Sequence, residues 1–294
     1  MMTGRNFERD PRRDAKAQRT RSNYKENKMK RKTIVTAALV CLMLLVPFSI
    51  FSQSQDFEMN GTVLIKYNGS AANVTIPEGV TAIGDNAFAR NGRLTSVTIP
   101  KSVTSIRRSA FASCSSLISV TIPEGVISIE DYAFYSCTSL ASITIPSSVT
   151  SIGNGAFTWC RSLTSITVDS QNTAYSSVEG VLFNKSRTIL IFYPQGKQDE
   201  SYTIPPGVTS IRNNAFWFCY SLTSVTIPSS VISIEDLAFS GCESLISITI
   251  PASVTSIGIF AFAGCDSLTS VTISRRTTIG ENAFHSTARI TYSD

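Results

Sequence analysis

From Val74 onward the sequence repeats itself with a period of 23 residues. One unit runs from Val97 to Ser119 and reads V-T-I-P-K-S-V-T-S-I-R-R-S-A-F-A-S-C-S-S-L-I-S, and the next, from Val120, keeps the same skeleton. Units open at Val74, Val97, Val120, Ile143, Ile166, Tyr202, Val225, Ile248 and Val271, nine in all with the imperfect ones. A fixed period of this size marks a solenoid, because so short a unit has an apolar face that it cannot bury alone and must stack on its neighbours.

Within a unit, Val97 and Ile99 alternate with Ser96 and Thr98 as the two faces of a short strand. Pro100 ends it, since a central strand cannot spare the N–H that proline lacks. Ile106, Ala110, Phe111 and Cys114 then fall at i, i+4, i+5 and i+8, the spacing of one apolar face of a short helix. The expected fold is therefore a repeat solenoid of α/β type: nine units of about 23 residues, with parallel strands on the concave face and short helical turns on the convex side. At a strand spacing of ~4.8 Å the rod is about 40 Å long.

The recurring Ile-Pro-x-x-Val-x-x-Ile, Ala-Phe and Cys-x-x-Leu skeleton resembles the BspA-like leucine-rich repeats, with Leu117-Ile118-Ser119-Val120-Thr121-Ile122 in the place of that family's Leu-x-x-Leu-x-Leu strand. The resemblance covers residues 57 to 292. It implies a leucine-rich repeat solenoid. It also implies an adhesin-like role, since members of that family with an assigned role are mostly surface proteins that bind host matrix proteins or other cells.

One unit breaks the period. Residues 166–201 form a variant unit of 36 residues, with two apolar runs, Gly180 to Phe183 and Leu190 to Tyr193, flanking a polar stretch from Asn184 to Thr188. That pattern predicts a hairpin, read as a structural variant repeat in preference to a dedicated binding element. A related run, Gly61 to Gly69, places an N-terminal cap at residues 55–73, ahead of the solenoid at 74–294.

The net charge of +5 belongs to the head of the chain. Residues 1–32 hold 12 Lys/Arg against 4 Asp/Glu, which leaves the body mildly acidic with scattered charges. A nucleic-acid partner would need basic residues clustered on the folded body, so none is expected. Residues 1–28 read as a basic extension, disordered or not translated, with Met29 as an alternative start. Met29-Lys30-Arg31-Lys32, the uncharged run from Thr33 to Phe51 and Ser52-Gln53-Ser54 have the layout of a secretory signal over residues 29–54, cut after Ser54. The alternative is an uncleaved anchor, with residues 34–51 as the single membrane contact. Both readings export the body to the cell surface or beyond, because positive charge stays inside.

In a stacked solenoid every repeated residue becomes a column. Cys114, Cys137, Cys160, Cys219, Cys242 and Cys265 form one, expected as buried thiols, since a ~4.8 Å stacking interval exceeds the ~3.5–4.5 Å between the Cβ atoms of a disulfide. Thr75, Thr98, Thr121, Thr144, Thr167, Thr203, Thr226, Thr249 and Thr272 form a second, on the solvent side of the strands. Of these, Thr98, Thr121, Thr144, Thr203, Thr226 and Thr249 are the candidate ligand-binding residues, a flat hydroxyl-rich surface for protein or glycan. β-Propensity on an exposed face explains the same column without a ligand. Opposite charges on successive units, such as Arg107 and Arg108 before Glu130 and Asp131, read as structural.

The only histidine is His285, and the sequence has no phosphate loop, metal-spaced ligand set or nucleophile elbow. No catalytic, cofactor-binding or metal-ligating residues are expected. The function this points to is an exported, macromolecule-binding, adhesin-like protein without enzymatic activity. Its expected partners are extracellular or host matrix proteins, glycans, or surface proteins of other cells. The alternative is a self-associating structural component of the cell envelope.

Overall fold

The computed structural model describes residues 56–293. The basic extension and the signal or anchor segment lie outside them. Among the described residues no helix is long and apolar enough to cross a membrane.

Each coil carries two strands that stack on those of its neighbours. The first is the Val-Thr strand, as in Ser96–Thr98 and Ser119–Thr121, paired in parallel with Val97 opposite Val120 and Thr98 opposite Thr121. The second is a two-residue Ser-Ile strand, as in Ser105–Ile106 and Ser128–Ile129, again parallel and one unit apart in register. Sequence reading sees only the first, because two residues are too few to show alternation. Between the two strands runs the Pro-x-x-Val turn, closed by Val103 N–H donating to the Pro100 carbonyl at 3.1 Å and repeated at Val126 and Pro123, 3.3 Å.

The helical turns expected after the second strand are not helices. Ile106, Ala110, Phe111 and Cys114 are all fully buried, but they lie on a succession of turns. Ser109 and Ser113 have φ of 54° and 60°, left-handed values that break any helical run. The amides accordingly divide their bonds. Ala110, Ala112 and Cys114 donate to carbonyls three residues back (Arg107, Ser109 and Phe111), whereas Ser109, Phe111 and Ser113 donate to Asp131, Ala133 and Tyr135 of the next coil. An i→i+4 helix would satisfy those amides internally and leave the coil face without a ladder. Stacking needs the second arrangement, and the apolar spacing of the two conformations is nearly the same.

Two antiparallel hairpins interrupt the parallel order. Phe57–Asn60 and Val63–Tyr67 form one, and Val63–Tyr67 then pairs in parallel with Ala82–Ile83. In the long unit Tyr175–Val178, Val181–Asn184 and Ile189–Phe192 form a meander, whose last strand pairs in parallel with Ser210–Ile211. This seam divides the interior into two apolar clusters, one from Phe57 to Phe192 and one from Val181 to Ala283. Within each, one phenyl ring per coil stacks on the next: Phe111 on Phe134 at 5.2 Å and 4° between planes, Phe239 on Phe262 at 5.0 Å and 4°. At the seam the stack breaks, with Phe157 meeting Phe192 at 6.2 Å and 57°, and Tyr193 heads the second stack against Phe216 at 5.2 Å.

Candidate functional site

The threonine column is assembled as a surface. Thr98, Thr121, Thr144, Thr203, Thr226 and Thr249 are all exposed. Thr98 lies opposite Thr121, Thr144 opposite Thr167, and Thr203, Thr226 and Thr249 follow one another in a single sheet. The six therefore occupy three separate short sheets rather than one continuous ladder.

The other columns serve the scaffold. All six cysteines of the column are buried free thiols. Each donates its S–H to the carbonyl of the ring residue one coil back, as Cys114 to Phe88 at 3.1 Å and Cys242 to Phe216 at 3.0 Å. Burial pushes the Cys114 and Cys242 thiols up, out of the range in which a thiolate forms. The column thus holds inert hydrogen-bonded filler, not nucleophiles. Ser102, Ser148, Ser230 and Ser253 likewise donate to the valine carbonyl one coil back, at 2.7 to 2.8 Å.

The repeated acids are structural through the backbone and not through ion pairs. Asp131 accepts from the Asn154 amide and Asp236 from the Ile259 amide, each at 2.7 Å on the following coil, and Glu130 accepts from the Arg108 amide at 3.2 Å. His285 lies 3.6 Å from Asp266 and shares a 2.9 Å hydrogen bond with Thr287. Among the described residues no group of three or more His, Cys, Asp or Glu side chains is placed to hold a metal ion.

A second surface is concentrated at the seam. Between the ring phenylalanine and the cysteine three coils carry only small residues, Ala112 and Ser113, Ser240 and Gly241, Ala263 and Gly264, and a fourth carries Tyr135 and Ser136. The coils on either side of the seam carry Trp159 in one and Trp217 and Phe218 in the other, with Arg161 and Tyr220 just past the cysteines. The rings meet: Trp159 lies 5.9 Å from Trp217 and 5.0 Å from Phe218, and Phe218 lies 5.6 Å from Tyr220. The Arg161 guanidinium sits 4.3 Å over Trp159 and 5.9 Å from Tyr220. Burial pushes the Tyr220 hydroxyl up in pKa, Arg161 draws it down and Glu243 of the next coil raises it, so charges of both signs act on that hydroxyl. The signal for this cluster was present in the sequence as a local departure from the column, but a search for what repeats passes over what does not.

Side chains replace the missing coil at the seam. Asn172, fully buried, donates to the Pro146 and Val149 carbonyls at 2.7 and 2.9 Å and accepts from the Ala174 and Tyr175 amides. The Tyr175 hydroxyl accepts the Ile152 amide at 2.8 Å. Gln195 donates through Nε2 to the Trp217 carbonyl, the role that a backbone amide plays in a regular coil, and its buried Oε1 has no hydrogen-bond partner.

A family model described as BspA type leucine rich repeat region matches residues 65–189 and 191–294, in six copies. Among solved structures, a leucine-rich repeat protein from Eubacterium ventriosum is 24% identical, over 77% of this chain and 79% of that one, with a TM-score of 0.62. The pneumococcal vaccine antigen PcpA is 21% identical, over 81% and 85%, with a TM-score of 0.53. A leucine rich cell surface protein from Faecalibacterium prausnitzii is 30% identical, over 81% and 93%, with a TM-score of 0.50. No curated protein matches the chain.

Proposed function

We propose that this chain, which belongs to the BspA-type leucine rich repeat family, is an exported adhesin-like protein that recognises protein or glycan through its solenoid surface and catalyses no reaction. The observation that carries the reading is the exposed, in-register threonine column on a rod whose repeated cysteines and acids are committed to the scaffold. A surface that is uncharged, hydroxyl-rich and fixed by parallel pairing offers donors and acceptors at regular intervals without an ordering cost on binding. The similarity to a cell surface protein and to a vaccine antigen supports display outside the cell.

The test is equilibrium binding of the full chain to a panel of extracellular matrix proteins and glycans, beside a copy with Thr121, Thr144, Thr226 and Thr249 changed to Lys. Saturable binding that the four lysines abolish supports recognition by the strand face. Binding to nothing on the panel, together with concentration-dependent self-association, replaces the adhesin reading with that of an envelope component.

A further inference from the structure

The seam surface has the chemistry of a second binding site, and the reading of it rests on the binding function proposed above. Two features set it apart from the rest of the turn face, the packing of the Phe218 ring and an unpartnered buried oxygen. Trp159 and Phe218 hold left-handed backbone, φ 63° and 53°, at a position that is left-handed in the neighbouring coils too, where Ser113, Ser136, Gly241 and Gly264 stand. Left-handed backbone at a bulky residue costs roughly 1–2 kcal/mol and persists where the surroundings over-determine it. The Phe218 ring lies flat over Gly241, where an added Cβ would stand 2.3 Å from the ring. Beneath the cluster, Gln195 is 8% exposed and keeps an acceptor oxygen without a partner. The rings of Trp159, Trp217, Phe218 and Tyr220 all remain partly exposed, with Tyr132 and Tyr135 a smaller ring pair one coil before Trp159.

We infer that this platform binds an uncharged oligosaccharide. The electron-rich face of an aromatic ring attracts the C–H face of a pyranose, and the tilted rings of Trp159, Trp217 and Tyr220 offer several such faces within a short distance. Polar groups at the rim fix the orientation of such a ligand. Arg161 has no carboxylate within ion-pair distance among the described residues, so its N–H groups remain to donate. Glu243 of the next coil, whose charge also acts on Tyr220, can only accept. A sugar hydroxyl both donates and accepts and so serves either neighbour. A proline-rich segment would stack as well, yet it lacks the N–H donors that Glu243 requires. A polyanion would gain Arg161 and meet repulsion from Glu243.

The molecule carries its own probe, because Trp159 and Trp217 are its only two tryptophans. The experiment titrates the full chain with cellohexaose, laminarihexaose, mannohexaose, hexagalacturonate and a decaproline peptide, and follows tryptophan emission. The expected result is a saturable shift with at least one neutral hexasaccharide. Arg161→Gln should weaken it fivefold or more, as should Glu243→Gln. Trp217→Ala should weaken it tenfold or more, with Trp159 still reporting, and Glu78→Gln, at an exposed residue far along the chain, should leave it unchanged. Arg161 and Glu243 are exposed, so their variants test the site without disturbing the core. A shift with hexagalacturonate or decaproline alone, a shift that both charge variants leave intact, or none with any hexasaccharide overturns the inference. Matrix-protein binding that is lost in the four-lysine copy, together with no shift from any hexasaccharide, overturns this site while leaving the broader function standing.

Discussion

The two blocks of coils on either side of the seam are built alike and begin alike. Tyr67 heads the first ring stack and donates its amide to the Ala87 carbonyl; Tyr193 heads the second and donates to Ala215, both at 2.8 Å. Each follows an antiparallel hairpin that turns into parallel stacking. They differ in what they stack against. The second block begins on the meander, whereas the first must end there, and its last regular coil finds Asn172 and Tyr175 side chains where backbone would otherwise continue. Regular coils satisfy their backbone with backbone and with side chains that recur at fixed positions, whereas the irregularity is closed by polar side chains that no repeat pattern specifies.

The largest expected effect comes from dividing that comparison in two. Phe134→Ala and Phe239→Ala each empty the middle of one ring stack and should cost about 3–5 kcal/mol. Because coils couple to nearest neighbours and the ring stack breaks at the seam, urea unfolding should show two transitions, with each variant moving one of them. A single transition shifted equally by both would show that the meander transmits cooperativity in full.

Next in size is Asn172→Ala, which leaves buried carbonyls and amides without partners and should cost about 2–3 kcal/mol, all of it in the transition of the first block. An equal shift of both transitions would mean that Asn172 holds the blocks together rather than closing the first. Smaller again is Tyr193→Phe, which removes a 2.8 Å hydrogen bond to Asp199 and should cost ~1 kcal/mol at neutral pH. The Tyr193 hydroxyl, followed by Lys197, holds the Asp199 carboxyl below its ordinary 3.8. A lowered folded-state pKa stabilises above the unfolded value and is lost as pH falls through the folded one. The gap between wild type and variant should thus hold down to about pH 4 and close in stronger acid; a gap independent of pH would assign the loss to packing. The smallest effect belongs to Thr121→Val, on an exposed strand face, within about 0.5 kcal/mol by thermal unfolding.

The strand register, the inward set of Val, Ile, Leu, Phe and Cys, and the free thiols were legible because each recurs every 23 residues, and recurrence in a stacked coil is position. The helical turns were misread, since apolar spacing at Ile106, Ala110 and Phe111 reports burial and not the destination of the amides. The platform at Trp159 and Trp217 escaped notice because the same contrast that marks it as special removes it from the pattern. The threonine column was readable as a row, but its division among three sheets depends on pairing across the seam.

The ladder along the turn face has a direction. There the amides of one coil donate to the following coil, as Phe88 to Ala110 and Phe111 to Ala133, while on the strand side Thr104 donates back to Thr81 and Ile127 back to Thr104. The two sets of peptide dipoles oppose each other, so the rod lacks the cumulative moment that a helix of similar length carries. Each regular coil then offers, on its turn face, amides to the coil that follows and carbonyls to the coil before, the complement of what its neighbours display. A whole coil can be added or deleted without orphaning a hydrogen bond, so gene duplication in steps of one unit can lengthen the rod while the seam and its rings stay as they are.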